Sequence, residues 1–323
     1  MLVVRRHCCA NGMIVAEATL TAERVLNALN IEMARDLFDA AQQWHDDDAI
    51  AAVVINGAGA RAFCAGGDVR QVCAAAGDDN HKAVGDYFAA EYRADFALHC
   101  LHKPLLCFAG GIVMGGGVGI MQGCNFRIAT DTTLFAMPET AIGAIPDVGA
   151  AKFLRPVNGG FFLGISGAAI NGFDAKAAML ADYVIADNCR EHLITKLCAA
   201  DWQQNTGENR RIAKTLLDDL AKAHPPQNKT MPMSQTIKQI AAVKTPADAF
   251  AVCDAGNDNP FLQLAAKKLR AASPSAMALW QRHYDSLPDA SLAEVFAADY
   301  RMMTGAAAMG DFCEGVRAVL TDK

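Results

Sequence analysis

The chain has 323 residues, of which 52% are hydrophobic and 20% are charged. This composition is that of a globular protein and excludes a disordered chain. Lysine and arginine total 29 against 35 aspartate and glutamate residues, and the net charge of −6 includes no long basic or acidic block. Neither a nucleic-acid partner nor a charged membrane surface is therefore indicated, and a small-molecule ligand stays open.

The cysteines and the N-terminus bear on the compartment. Eleven cysteines are scattered along the chain, with no CxxC pair and no His/Cys cluster at metal-ligand spacing. Such usage is typical of thiols in a reducing compartment, and it predicts neither a disulfide framework nor a bound metal. The first 20 residues contain two arginines but no sustained apolar stretch followed by a cleavage site, so no secretory signal is predicted. We therefore expect a cytoplasmic protein.

Predicted strands and helices alternate in the first half of the chain, which is typical of an α/β fold. In chain order they are a strand in GMIVAEATL, a helix in VLNALNIEMARDLFDAAQQW, a strand in AAVVING, a helix in ADFALHCLHK, a strand in LLCFAG, paired strands in NFRIATDTTLFAMPE and a helix start in AAKFLRPV.

The composition changes after ADYVIAD, which ends at Asp187. Four later segments have the apolar spacing of amphipathic helices: ITKLCAADWQQ, RRIAKTLLDDLAKA, FLQLAAKKLRAA and SLAEVFAADYRMMTG. A Pro-rich, polar connection, AHPPQNKTMPMSQ, lies between them. We predict an α/β core over residues 1–190 and a C-terminal helical region over residues 191–323.

Residues 105–124 form an uncharged run that is long enough to span a bilayer. Seven of these residues are glycine, which would make a poor isolated membrane helix. We predict instead a buried strand, LLCFA, that turns sharply at the glycines and continues as a buried helix. The triplet in VMGGGVGIMQG needs a local reason, because each interior glycine costs roughly 0.5 to 1 kcal/mol relative to alanine.

Two glycine-rich turns, in RAFCAGGDVR and in GGGVG, each follow a short buried strand. Bare backbone N–H groups at such a turn can approach a carbonyl oxygen closely, and two turns aimed at one oxygen would form an oxyanion hole. The spacing matches the dinucleotide fingerprint poorly, and no Gly-Lys-Ser/Thr follows for a phosphate loop. Close helix packing is the alternative explanation for the triplet taken alone.

The segment FAMPETAIGAIPDVG places two carboxylates, Glu139 and Asp147, in a largely apolar stretch, each beside a proline. A carboxylate in such surroundings suffers a desolvation penalty unless it is exposed at a turn or functional.

Three other reactive side chains have simpler, non-catalytic explanations. We expect Cys64 to be a small buried residue rather than a thiolate, and His99 and His102 to be packed or exposed.

The combination of CAGGD, MGGGVG, AMPET and IPDVG resembles the crotonase (enoyl-CoA hydratase/isomerase) superfamily, and GDFCEGVRAVLTDK is similar to its 3-hydroxyisobutyryl-CoA hydrolase branch. The resemblance implies a spiral of repeated ββα turns with C-terminal helices packed on it. It also implies an acyl-CoA substrate and a homo-oligomer, a trimer or a hexamer. Coenzyme A is then part of the substrate, and no separate cofactor is implied.

The resemblance also implies the site residues. By motif position, the thioester carbonyl oxygen lies between the backbone N–H groups of Gly67 and Gly116. Glu139 is implied as nucleophile or general base, and Asp147 as the group that orients the substrate hydroxyl or exchanges a proton. Glu91 matches a substrate-binding glutamate of the hydrolase branch, and Gly116, Glu139 and Asp147 are implied to contact the substrate too.

The acidic positions favour one reaction of the superfamily. Gly119 stands where the hydratases have the first of two glutamates, so addition of water to an enoyl group lacks half of its usual acid/base pair. The resemblance therefore implies hydrolysis of a short hydroxyacyl-CoA thioester, above all 3-hydroxyisobutyryl-CoA, as in valine degradation. The alternatives are an enoyl-CoA isomerase or hydratase, and a non-catalytic acyl-CoA-binding module.

Overall fold

A computed structural model describes residues 1–78, 80–226, 230–256, 258–320 and 322. Residues 227–229 of the predicted Pro-rich connection lie outside the described residues, as do residues 321 and 323 of the C-terminal motif.

The strands of the described chain are β1 (Leu2–Cys8), β2 (Ile14–Leu20), β3 (Ile50–Gly57), β4 (Ala62–Cys64), β5 (Leu105–Ala109), β6 (Ile112–Met114), β7 (Phe126–Thr130), β8 (Leu134–Ala136), β9 (Ile170–Asn171) and β10 (Tyr183–Ile185). They form two sheets, in the orders β1-β2-β3-β5-β7-β10 and β4-β6-β8-β9. The β1–β2 and β8–β9 pairs are antiparallel, and all other pairs are parallel.

The α-helices of the described chain are α1 (Ile31–Asp46), α2 (Val69–Gly77), α3 (His81–Cys100), α4 (Gly116–Gly123), α5 (Ala150–Phe153), α6 (Gly160–Ser166), α7 (Gly172–Ala177), α8 (Arg190–Cys198), α9 (Thr206–Ala223), α10 (Ile237–Ile240), α11 (Pro246–Ala255), α12 (Pro260–Ala271), α13 (Pro274–Ser286), α14 (Leu292–Met309) and α15 (Asp311–Leu320). None of these helices is long and apolar enough to cross a membrane.

Successive strands of one repeat join different sheets. In each of the pairs β3–β4, β5–β6 and β7–β8, the first strand joins the six-stranded sheet and the second joins the four-stranded sheet. A helical segment follows each pair, which gives the predicted spiral of ββα turns and confirms the α/β fold class. Because β4 and β6 are parallel neighbours, the turns that follow them lie side by side at one end of the small sheet.

The predicted pairing of two strands within NFRIATDTTLFAMPE is wrong. The first, β7, pairs with β5 and β10, whereas the second, β8, pairs with β6 and β9. The Thr133 hydroxyl accepts a hydrogen bond from Thr130 N and donates to the Ala109 carbonyl, which ties the connecting turn to the preceding repeat. Each strand therefore lines up with its counterpart in the neighbouring repeat instead of folding back as a hairpin.

Two helices and the uncharged run differ from the predicted bounds. Helix α1 begins at Ile31 rather than at Val25, because Asn27 has a positive φ of 55° and its side chain bonds to both Ala58 O and Ala62 O. Helix α3 is longer than predicted, since Asn80 caps it at its N-terminus. The uncharged run contains the expected strand and buried helix, β5 and α4, with the additional strand β6 between them.

One cluster of buried side chains includes residues from both sides of the predicted boundary at residue 190, such as Phe63 and Leu98 with Trp280 and Phe312. A second cluster packs α8 and α9 against the six-stranded sheet. The C-terminal region consists of helices α8 to α15, so its predicted helical character agrees with the structure. The domain boundary at residue 190 stays a prediction.

Candidate active site

A cavity of about 730 Å³ lies where the turns of the small sheet meet α3 and the C-terminal helices. All five residues singled out in the sequence line this cavity: Gly67, Glu91, Gly116, Glu139 and Asp147. They come from the turn after β4, from α3, from the first residue of α4, from a 3-10 turn at Glu139–Ile142, and from the loop before α5.

Two backbone N–H groups at the cavity wall lack a partner. Neither Gly67 N nor Gly116 N donates a hydrogen bond to any other described residue. The two glycines face each other, since a Cβ atom placed on Gly116 would lie 3.5 Å from Gly67 N. Gly116 is also the first residue of α4, where the helix dipole favours negative charge. The pair therefore has the features of an oxyanion hole.

Each glycine of the triplet has its own structural reason. Gly115 has a φ of +50°, and a Cβ there would lie 2.9 Å from Glu139 Oε1. A Cβ on Gly116 would lie 2.1 Å from Glu91 Oε1, and one on Gly117 would lie 2.4 Å from the Cys64 carbonyl oxygen. The first two glycines leave room for carboxylates at the cavity, and the third allows α4 to pack on the end of β4.

The carboxyl groups of Glu139 and Glu91 are buried beside these glycines. Burial, and then the charges of Asp147 and Glu91, raise the pKa of Glu139 well above its usual value. Burial, and then the charges of Asp147 and Asp95, raise the pKa of Glu91 in the same direction. The Oε2 atom of Glu139 is buried and has no hydrogen-bond partner in the described chain.

Asp147 is held in a defined orientation. The Tyr92 hydroxyl donates to its Oδ2 atom at 2.6 Å. Burial raises the pKa of Asp147 to about 7, the Tyr92 hydrogen bond opposes that rise, and the nearby Asp299 charge adds to it. The next residue, Val148, has a φ of 49°, and Gly149 donates its N–H to Asp299 Oδ2 at 2.9 Å. A carboxyl group that titrates near neutral pH thus borders the cavity.

Helix α3 has a polar face that was not predicted from the sequence. Tyr87, Glu91 and Asp95 recur every fourth residue, so they lie on one face of the helix. Asp95 is fully buried, and its carboxylate oxygens have no hydrogen-bond partner among the described residues. A Cβ on Gly119 would lie 2.5 Å from Asp95 Oδ2, so this carboxyl group fills the space beside Gly119. The i, i+4, i+8 spacing was the available signal.

The environments of three other reactive side chains agree with the non-catalytic explanations given for Cys64, His99 and His102. Burial raises the pKa of the Cys64 thiol to about 12, which keeps it protonated. Burial lowers the pKa of His99 to about 4, and its ring packs against Phe296. His102 is exposed and packs against another surface histidine.

The mouth of the cavity combines basic and apolar side chains. Arg24, Arg70 and Lys268 line it, together with apolar residues of α14 and α15. Arg70 also donates to the Leu320 carbonyl at 2.7 Å, which connects α2 to the end of α15. No group of three or more His, Cys, Asp or Glu side chains in the described ranges is arranged to hold a metal ion, and the expectation of no bound metal stays a prediction.

The family model described as enoyl-CoA hydratase/isomerase matches residues 15–323. The chain belongs to the enoyl-CoA hydratase/isomerase family. Members similar to it include the mitochondrial 3-hydroxyisobutyryl-CoA hydrolases of Xenopus laevis, 34% identical over 94% of this chain and 79% of that protein, and of Bos taurus, 33% identical over 100% and 82%. The predicted resemblance to the hydrolase branch is thereby confirmed.

Solved structures of the enoyl-CoA hydratase/isomerase family support the fold. One is titled an enoyl-CoA hydratase from Rhodobacter sphaeroides 2.4.1, with a TM-score of 0.83 and 30% identity over 99% of this chain and 89% of that one. Another is titled a carnitinyl-CoA dehydratase from Mycobacterium thermoresistibile, with a TM-score of 0.83 and 29% identity over the same shares of the two chains. The crotonase-like fold expected from the motifs is confirmed.

The hydrolases that this family member resembles are named as mitochondrial. Their names give no support to the expected cytoplasmic location, so the compartment of this chain stays a prediction.

Proposed function

We propose that this protein hydrolyses a short hydroxyacyl-CoA thioester, most directly 3-hydroxyisobutyryl-CoA, to the free hydroxy acid and coenzyme A. The observation that carries the proposal is the cavity, in which two unpaired backbone N–H groups face each other beside the carboxyl groups of Glu139 and Asp147. The names of the similar hydrolases support the same substrate.

The two glycine N–H groups would bind the thioester carbonyl oxygen. Attack at the carbonyl carbon turns this oxygen into an oxyanion, and both donors are free to bind it because neither has a partner in the described chain. Each donor of this kind is worth about 2.7 to 4 kcal/mol in the barrier. The N-terminus of α4 adds its dipole at the same place.

Glu139 would supply the reactive carboxylate. Its Oε2 atom has no partner within the described chain, so nothing there competes with the substrate for it. Glu139 acts in one of two ways. Either it attacks the thioester carbon, so that the C–S bond breaks, the thiolate of coenzyme A leaves, and water then hydrolyses the mixed anhydride to release the hydroxy acid and regenerate Glu139; or it takes a proton from the attacking water and passes it to the thiolate as the C–S bond breaks. Both routes need the ionised form, and a raised pKa makes that form a stronger base once it is produced.

Asp147 would recognise the substrate hydroxyl. The Tyr92 hydrogen bond to Oδ2 orients its carboxyl group. Glu91, which lies beside Gly116, would border the acyl group on the opposite side. The cations Arg24, Arg70 and Lys268 at the cavity mouth would attract the phosphate groups of coenzyme A.

An enoyl-CoA hydratase is the second candidate, because the two solved structures described above are named an enoyl-CoA hydratase and a carnitinyl-CoA dehydratase. It is less well supported, since Gly119 has no side chain and Asp95 fills the space beside it. A non-catalytic acyl-CoA-binding module is the third.

Release of free thiol from a panel of thioesters tests the proposal and separates these candidates. The panel contains 3-hydroxyisobutyryl-CoA, isobutyryl-CoA and a short enoyl-CoA. We expect rapid thiol release from the hydroxyacyl compound. A change in enoyl absorbance without free thiol would identify a hydratase, and binding of all three compounds without turnover would identify a binding module. Light scattering of the same preparation tests the proposed trimer or hexamer.

A further inference from the structure

The loop that carries Asp147 adopts a strained backbone. Val148 is β-branched and has a φ of 49°, a region that such residues rarely occupy because it is sterically strained. This conformation persists only where the surroundings enforce it. The Val148 side chain lies against Gly119 of α4, where an added Cβ would be 2.8 Å from Val148 Cβ, while α3 and α14 contact the flanking residues Asp147 and Gly149.

Helix α14 contacts this loop directly. Asp299 Oδ2 accepts the hydrogen bond from Gly149 N at 2.9 Å, and the Gly149 backbone packs against Leu292 and Phe296 of the same helix. The Phe296 ring also packs against Tyr92, with ring centroids 5.8 Å apart. Tyr92 in turn bonds to Asp147. Backbone and side chain of the loop are therefore fixed by two helices that pack on each other.

Asp299 is itself held by a second residue of the C-terminal region. His283 of α13 contacts Asp299 Oδ1 through Nε2 at 2.6 Å. The side chains of His283 and Asp299 are 2% and 0% exposed. A fully buried carboxyl group is costly unless it is paired, and both oxygens of Asp299 have a partner. The two oxygens of Asp299 thus connect the Asp147 loop to α13 through a single carboxyl group.

The geometry points to Asp299, backed by His283, as a positioning residue that holds the Val148–Gly149 turn and so fixes the Asp147 carboxyl group in the acyl cavity. Asp299 lies outside the cavity lining and acts on the substrate through Asp147. The kinetic test of this role rests on the proposed hydrolase function, whereas the spectroscopic test, a titration of Asp147, does not.

The Asp299 charge also acts on the Asp147 carboxyl group, since it is one of the causes that raise the pKa of Asp147. The ionisable groups that face Asp147 are Glu91, Tyr92 and Asp95 of α3, Glu139 across the cavity, and Asp299 of α14 with His283 behind it. Removing the Asp299 charge should lower the pKa of Asp147, whereas a purely structural role would leave it unchanged.

Two substitutions distinguish the hydrogen bond that Asp299 accepts from Gly149 N from the negative charge of Asp299. Asp299→Asn keeps an oxygen for Gly149 N but removes the charge, and Asp299→Ala removes both. Asp174→Asn is a matched control, because Asp174 is equally buried and accepts hydrogen bonds from Met233 N and Ser234 N, away from the cavity. His283→Leu provides a second route if the Asp299 variants fail to fold, since it removes the side-chain contact to Asp299 Oδ1 and leaves Asp299 itself in place.

The experiment combines thiol-release kinetics on 3-hydroxyisobutyryl-CoA with an infrared titration of the Asp147 carboxyl band, assigned by its loss in Asp147→Asn. We expect Asp299→Ala to reduce kcat by about 10-fold to 100-fold with a smaller change in KM. Asp299→Asn should lose less activity but shift the Asp147 titration to lower pH. His283→Leu should change both readouts in the same directions, and Asp174→Asn should change neither.

Folded Asp299 or His283 variants that match Asp174→Asn in both readouts would overturn the inference. So would an Asp147 titration in Asp299→Asn that coincides with that of the unmodified protein. Absence of thiol release by the unmodified protein would instead refute the proposed function, and the infrared titration would still test the positioning role.

Discussion

Replacing the third glycine of the triplet should damage the oxyanion hole without touching any group that contacts the substrate. In Gly117→Ala the new Cβ would lie 2.4 Å from the Cys64 carbonyl oxygen and 2.8 Å from Cys64 Cβ. Cys64 is the last residue of β4, and its backbone cannot rotate away as a side chain would. The first turn of α4 must therefore move away from β4.

The size of this displacement sets the expected effect. Ordinary van der Waals contact requires the two atoms to separate by about 1 Å more. That shift moves Gly116 N, on α4, away from Gly67 N, on the turn after β4. A misplacement of about 1 Å can cost about 100-fold in rate, which corresponds to about 2.7 kcal/mol. We expect kcat/KM to fall by about that factor.

The assay is thiol release from 3-hydroxyisobutyryl-CoA, with circular dichroism and Tm measured to establish that the variant is folded. Gly305→Ala is the matched control, because Gly305 lies within α14 and a Cβ there would meet nothing within 4 Å. The control should keep full activity and gain about 0.5 to 1 kcal/mol of stability. A folded Gly117→Ala protein with kcat/KM within about threefold of the unmodified enzyme would refute the reasoning.

Three further predictions concern the carboxyl groups. Glu139→Gln should abolish thiol release while Tm stays nearly unchanged, because the amide is nearly isosteric but neither attacks nor takes a proton; near-normal turnover would remove Glu139 from the mechanism. Asp147→Ala should reduce the preference for 3-hydroxyisobutyryl-CoA over isobutyryl-CoA, measured as the ratio of kcat/KM values, and equal rates in the unmodified enzyme would exclude hydroxyl recognition. Activity should rise with pH through an apparent pKa above the usual glutamate range, since burial and the Asp147 charge both favour the protonated form of Glu139. Asp147→Asn should move this rise to lower pH. A rise that stays at the same pH would contradict an electrostatic interaction between Asp147 and Glu139.

The part of the site that follows from local sequence was predictable. Gly67 and Gly116 follow short strands at glycine-rich turns, and Glu139 and Asp147 stand beside prolines in an apolar segment, so each leaves a signal within about ten residues. The signals gain their specificity from occurring together, because parallel neighbouring strands bring the turns to one place.

The remaining part depends on contacts that leave little local trace. The polar positions of α3 interrupt the apolar period by which a helix is recognised, so the segment around Glu91 was not predicted as helix. Asp299 lies 150 residues after Gly149 in the sequence, within a helix that resembles any amphipathic helix. Strands β7 and β8 belong to different sheets, and this assignment likewise depends on the neighbouring repeats rather than on the strands' own residues.

The C-terminal helices complete the acyl cavity, since Met303 of α14 and Phe312, Val319 and Leu320 of α15 form part of its wall. Domains fold as their residues leave the ribosome, beginning with the N-terminal segments. The sheets and both glycine turns are thus synthesised well before the last wall of the cavity. A chain without α14 and α15 would lack both this part of the cavity wall and the contacts that these helices make in the buried core. The proposed ability to act on a thioester therefore depends on α14 and α15 as much as on the sheets that carry the glycine turns.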